Sequence, residues 1–365
     1  VTRPLDALLE RIHRLGPVPF DEYIETVLYG EGGFYASGRG AGRRADFITS
    51  PEIGPLFGAV LARALDCWWD ELGRPDPFVV VEAGAGRGSL AESILRATPA
   101  CAPALRYVLV ERALAQLAVD LPLEPPALVL GPEAAIDPDE PPQPMPGHGP
   151  LVTALSELPA LQFTGVVLAN ELLDNLPFRL LERGSDEWLE VRVGEQAGTL
   201  AEVLVPVAEP PHVDAPIGGR VPVQTAATNW VRDALELLHR GRVVAIDYAD
   251  TTASMARRPW TEWLRTYRGH GRGGHPLDQP GDQDVTCEVA TDQLPPPTAA
   301  TTQADFLRRH GIDDLVATAR AAWEERAAIG DLEALKNRSR VHEGAALTDP
   351  AGLGGFAVLE WEVPA

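Results

Sequence analysis

The sequence predicts an α/β fold whose mostly parallel sheet is covered by helices, and three features predict it. Short apolar runs rich in β-branched residues recur at Phe78–Val81, Tyr107–Val110, Ala127–Leu130, Gly165–Ala169 and Arg242–Ile246. Such runs suit strands buried on both faces. Helical patterns lie between several of them, the alternation expected of parallel strands joined by crossover helices. The first run passes at once into a glycine-rich turn and then a helix.

Pro4–Leu15 and Phe20–Tyr29 carry apolar residues three and four apart and read as amphipathic helices. Residues 1–50 are therefore a helical N-terminal extension, ahead of a main domain over 51–365. After a Gly-rich turn from Gly30 to Gly42, the stretch Ala45–Leu72 reads as a helix that Ser50 can cap, with Pro51 at its first position and Glu52 in its first turn. Arg74-Pro75-Asp76-Pro77 breaks it. Asp137–Pro150, rich in proline and acidic residues, reads as a solvated loop. Phe178–Leu181 and Trp188–Val193 flank Arg183-Gly184-Ser185-Asp186 as a hairpin, with Ala201–Val207 as a third strand, so a β-rich insertion is expected at about 178–220. A loop insertion is expected at about 255–290. From Thr301 the pattern is helical, and Phe356–Val363 reads as a closing strand.

With 365 residues, 45% hydrophobic and 23% charged, the chain can bury a large core. A formal charge of −22 argues against nucleic acid as a partner. The same acidic field suits a basic acceptor, or serves solubility alone. No run of 18 apolar residues and no signal-peptide pattern is present, so a cytoplasmic protein without a membrane partner is expected. Cys67, Cys101 and Cys287 stand far apart with no CxxC pair, and His270 and His275 lack neighbouring ligands at metal spacing. Neither disulfides nor a metal site is expected.

The stretch Glu82-Ala83-Gly84-Ala85-Gly86-Arg87-Gly88-Ser89-Leu90 lies between a buried strand and a helix. Glycines there permit positive φ and close approach of a ligand to the backbone. Nicotinamide and flavin enzymes use similar glycine patterns, and a plain strand-to-helix turn is a further alternative. A dinucleotide brings a diphosphate to such a turn, whereas S-adenosylmethionine brings a zwitterion and a sulfonium. The carboxylate of Glu82 favours the second. At the next strand end, Glu111 and Arg112 follow Val110, and Glu111 can accept hydrogen bonds from both ribose hydroxyls of an adenosine. After the fourth strand come Asn170, Glu171 and Asp174, within Leu168–Pro177. Ligands of open α/β sheets bind at carboxyl strand ends, so these three are the candidate catalytic residues. A helix N-terminus enriched in acids is the competing explanation.

Taken together, Asp46–Ile53, Glu82–Leu90, Ala169–Glu171 through Leu176-Pro177, and Gly281–Thr286, with Tyr267–His270, resemble the MidA family, bacterial relatives of the mitochondrial complex I assembly methyltransferase. The resemblance implies a class I (Rossmann-like) methyltransferase fold with a helical extension and an inserted β element. It implies that Thr49, Ser50, Pro51 and Glu52 fold over the methionine end of S-adenosylmethionine, where an ordinary helix cap is the alternative. It also implies a protein acceptor with an exposed arginine, and a homodimer. Leu172 departs from the aromatic residue usual in the family, and Asn175 from alanine. A small-molecule methyltransferase, a nicotinamide oxidoreductase and a non-catalytic assembly factor are the rival readings.

Overall fold

The structure is a computed structural model, which describes residues 3–37, 49–112, 128–130, 149–269 and 271–364. The chain forms two compact units. One comprises Ile48–Asn170, Ala234–Ile246 and Pro297–Ala365; the other comprises Val1–Phe47, Glu171–Asp233 and Asp247–Pro296.

The first unit is built on an eight-stranded sheet. Its strands in chain order are β1 (Phe78–Ala83), β2 (Leu105–Val110), β3 (Leu128–Leu130), β4 (Leu151–Leu155), β5 (Phe163–Asn170), β6 (Leu238–Asp247), β7 (Ala299–Thr302) and β8 (Ala357–Val363). Their spatial order is β7-β8-β6-β5-β1-β2-β4-β3. From β6 to β3 every pairing is parallel, and β7 pairs antiparallel with β8. β1 therefore stands where the strand order reverses, with β2 on one side and β5 on the other. The helices Pro55–Glu71 and Ser89–Arg96 bury Phe57, Leu61, Leu65, Leu90 and Ile94 in one core with Val80, Tyr107 and Val166.

The expected long helix after Ser50 is two helices, Ser50–Ile53 and Pro55–Glu71, with Thr49 rather than Ser50 at the N-cap. A side chain at Gly54 would meet the Glu343 carboxyl carbon at 2.3 Å, and that carboxylate accepts the Leu56 N–H at 3.1 Å. Pro55 also lacks the N–H that would continue a helix. Ser50 is buried and donates its hydroxyl proton to Gln303 Oε1 at 3.0 Å.

In the second unit the helices Pro4–Leu15 and Phe20–Tyr29 share a core with the β-rich segment: Leu8, Phe20, Ile24, Phe178, Val191 and Trp263 are all buried in it. Val18–Pro19 pairs antiparallel with Trp188–Gln196 in a five-stranded sheet that also holds Arg179–Arg183, Thr199–Pro206 and Arg220–Val223. Where a loop insertion was expected, Leu264–Arg268 pairs antiparallel with Gly271–Arg272 and Asp284–Cys287. A mostly parallel sheet thus describes the eight-stranded sheet, while the five- and three-stranded sheets are antiparallel. The helical N-terminal segment is part of this unit's core rather than a separate extension. The strand expected at Ala127 begins at Leu128; most of the expected Asp137–Pro150 loop, along with Asp46–Ile48 and His270, lies outside the described residues.

Close strand approach makes one position unusually demanding. A Cβ on Gly165 in β5 would lie 1.8 Å from the Val79 carbonyl oxygen in β1, a backbone atom that cannot move aside cheaply. Gly165→Ala is expected to lower the unfolding free energy by about 1–3 kcal/mol in denaturant titrations. Gly271→Ala, where a Cβ meets nothing closer than 4.0 Å, should leave it unchanged. Equal effects at the two sites would refute the packing argument.

Candidate active site

β1 ends in the glycine loop. Gly84, Gly86 and Gly88 adopt φ of +69°, +53° and +76°, a region that side chains with a Cβ avoid. The loop is fastened to β2: Gly84 and Ala85 donate their N–H groups to the Val110 carbonyl at 2.9 and 3.1 Å. Gly86 N–H donates to Glu111 Oε2 at 2.9 Å. Ser89, the first residue of the next helix, donates its hydroxyl to Glu52 Oε1 at 2.7 Å, which brings the Thr49–Glu52 segment to the loop.

Glu82 lies beneath the loop. It is 5% exposed, and its Oε2 accepts the Tyr107 hydroxyl at 2.7 Å. Burial pushes its pKa up to about 7, against the opposing hydrogen bonds from Tyr107 and the Ala91 amide. Glu82 thus braces β1 against β2 and the helix.

These groups suit S-adenosylmethionine. A Cβ at Gly86 would meet no atom of the described residues within 4 Å, so none of them crowds that backbone. Two carboxylates, Glu52 and Glu111, are bonded to the loop, an arrangement that repels a diphosphate and tolerates a cation. Glu111, just past the end of β2, is partly buried, and Arg112 beside it is exposed. Leu90 is buried and anchors the helix start.

Beyond β5 the segment is more buried than its acidic sequence suggests. Asn170 closes the strand. Glu171 has φ +51°, a left-handed conformation costing a residue with a Cβ about 1–2 kcal/mol. Only a three-residue 3₁₀ turn, Leu173–Asn175, follows, so a helix N-terminus does not explain the acids. Asp174 is 1% exposed. Its Oδ2 accepts the Tyr248 hydroxyl and, at 2.5 Å, the Thr286 hydroxyl. Its buried Oδ1 has no partner among the described residues.

Two further buried acids adjoin it. Asp247 Oδ2 accepts the Leu173 and Asp174 N–H groups at 3.0 and 3.3 Å. Asp284 Oδ1 accepts from the Tyr35 hydroxyl at 3.1 Å and the Asn175 amide at 3.2 Å. Burial raises the pKa of all three, taking Asp284 to about 7; for Asp247, repulsion from Asp174 and Glu171 adds to it. The cluster therefore resists carrying three full charges unless a cation joins it.

Sequence reasoning missed Tyr107, Asp247 and Tyr248. The signal was present for the last two, which follow the run Arg242–Ile246 at a carboxyl strand end.

The Glu82 assignment has a pH signature. Between about 4.5, where the carboxyl normally titrates, and about 7, the folded protein binds a proton that the unfolded chain has released. Stability from this group therefore falls as pH rises through that window. Glu82→Gln is expected to gain stability relative to the wild type between pH 5 and pH 8 in thermal unfolding, and a constant difference would overturn the assignment.

Comparison with known proteins bears on the cofactor. A COG1565 superfamily protein from Burkholderia thailandensis, solved bound to S-adenosyl-homocysteine, superimposes with a TM-score of 0.76 and 28% identity over 99% of this chain and 92% of that one. The arginine methyltransferase NDUFAF7 of Xenopus tropicalis, a mitochondrial protein, is 26% identical across 85% of this chain and 75% of its own. The Drosophila melanogaster homologue is 42% identical over 90 residues, only 21% of its length. These mitochondrial names overturn the expectation of a cytoplasmic protein. Among the described residues no helix is long and apolar enough to cross a membrane, and that does not assign a compartment. The profile of the S-adenosyl-L-methionine-dependent methyltransferase family Methyltransf_28 matches residues 60–310, more than half of the sequence, and the chain belongs to this MidA-type family.

Proposed function

We propose that this methyltransferase modifies an arginine nitrogen of a protein. The observation that carries the reading is the acidic segment leaving β5. Glu171 is held at φ +51°, and Asp174 keeps a buried oxygen without a partner among the described residues. The names of the NDUFAF7 relatives, protein arginine methyltransferases, support it.

A guanidinium is planar and cationic, with paired N–H donors that match a carboxylate. Glu171 grips two of these donors and Asp174 stabilises the charge, which orients the remaining nitrogen for attack. When bound, S-adenosylmethionine would supply the electrophilic methyl group, with S-adenosylhomocysteine as the leaving group. Alignment and exclusion of water are then the main tasks left to the protein. A guanidinium titrates above about 12, so the proton lost on methylation passes to one of these carboxylates. Asn170 positions the reactants, since an amide is no base at neutral pH.

Incubation with labelled S-adenosylmethionine and arginine-rich proteins should yield methylarginine on hydrolysis, and lysine-substituted counterparts should take no label. Glu171→Ala should bind S-adenosylhomocysteine within about twofold of the wild type by calorimetry, while kcat/KM falls by about 100-fold. Label on lysine or on a small molecule, or loss of cofactor binding in that variant, would overturn this reading.

A further inference from the structure

We infer that Asp247 and Tyr248, consecutive residues at and just beyond the end of β6, are positioning residues for methyl transfer, one fixing the backbone and the other the carboxylate of Asp174. The inference rests on the acceptor site proposed above and assigns the parts that hold it in shape.

The turn Leu173–Asn175 cannot hold itself. Its own backbone bonds, Asn175 N–H to Leu172 and Leu176 N–H to Leu173, are long at 3.3 Å, and the side chain of its N-cap residue, Leu172, makes no capping hydrogen bond. A turn's leading N–H groups lack internal acceptors. Asp247 supplies the acceptor, with Oδ2 on the Leu173 and Asp174 amides and Oδ1 on the Tyr248 amide at 2.9 Å. One residue earlier, Ile246 pairs with Asn170 in the sheet. Glu171 is therefore bracketed by two fixed points, both set by consecutive residues of β6, and strained backbone persists only where its flanks over-determine it.

Tyr248 acts on the side chain. Its hydroxyl and that of Thr286 lie 2.8 Å apart and share Asp174 Oδ2. Both donors favour the ionised carboxylate and occupy Oδ2, which leaves Oδ1 without a hydrogen-bond partner among the described residues. Around this group stand Glu171, Asp247, Asp284 and the Tyr35 hydroxyl, with the Arg265 guanidinium 5.7 Å from the Tyr248 ring. Removal of the Tyr248 hydroxyl leaves the neighbouring acids in place, so Asp174 must then hold its proton to higher pH.

The test uses Asp247→Asn and Tyr248→Phe in the full chain. Asp247→Asn removes the charge and puts an NH2 group where one acceptor oxygen was, so one oxygen can no longer serve all three N–H groups and amide exchange at Leu173 and Asp174 or at Tyr248 should quicken at least tenfold. Both variants should keep the wild-type Kd for S-adenosylhomocysteine within twofold and lose at least tenfold in kcat on whichever acceptor the wild type methylates. Tyr248→Phe should also move the acid limb of the pH profile upward. Unchanged exchange in Asp247→Asn, wild-type kcat in either variant, or a reduced kcat with an unmoved acid limb in Tyr248→Phe would overturn the inference. A wild type that methylates something other than arginine would sink the acceptor reading instead, with these ratios still judging the positioning roles.

Discussion

Parallel register ties Ala245, Ala169, Ala83 and Val110 into one row across β6, β5, β1 and β2. Within two residues of that row lie Asp247, Glu171, Glu82 and Glu111. Antiparallel strands would send alternate ends to opposite edges of the sheet and scatter these acids. The three alanines are buried. The glycine loop, the Glu171 segment and the Asp247 clamp all issue from this row.

Much of this was legible because its causes are local. The helix Pro4–Leu15 starts at a proline and stops at Gly16, both readable in sequence. The glycine loop announced itself by spacing. The break at Gly54 was readable only in part: Pro55 stands beside it in the sequence, whereas the Glu343 carboxyl that a side chain there would meet comes from far along the chain. Asp174 read either as a catalytic candidate or as one of the acids of a helix N-terminus; its hydrogen bonds from Tyr248 and Thr286 come from residues that no short-range pattern couples to it. The hairpin at Leu264–Arg268 was hidden among glycines and charges that mimic a loop.

The protein treats its buried acids in two ways. In the five-stranded sheet, Glu190 is gripped by Arg179 and Arg192, and Glu202 by Arg220. At the candidate site tyrosine hydroxyls serve instead: Tyr107 on Glu82, Tyr248 on Asp174 and Tyr35 on Asp284. An arginine neutralises its partner, whereas a phenol steadies the carboxylate without cancelling its charge.

The two units are interleaved along the chain, and this governs their assembly. The first 47 residues share a unit with segments that end at Pro296, and the eight-stranded sheet includes β8, whose last residue is Val363. During synthesis the amino-terminal helices emerge well before the strands whose core they complete. The unit that holds those helices has all its segments once Pro296 is made, whereas the other also needs β8. Long-range pairing of this kind slows folding and prolongs the exposure of apolar surface on the nascent chain.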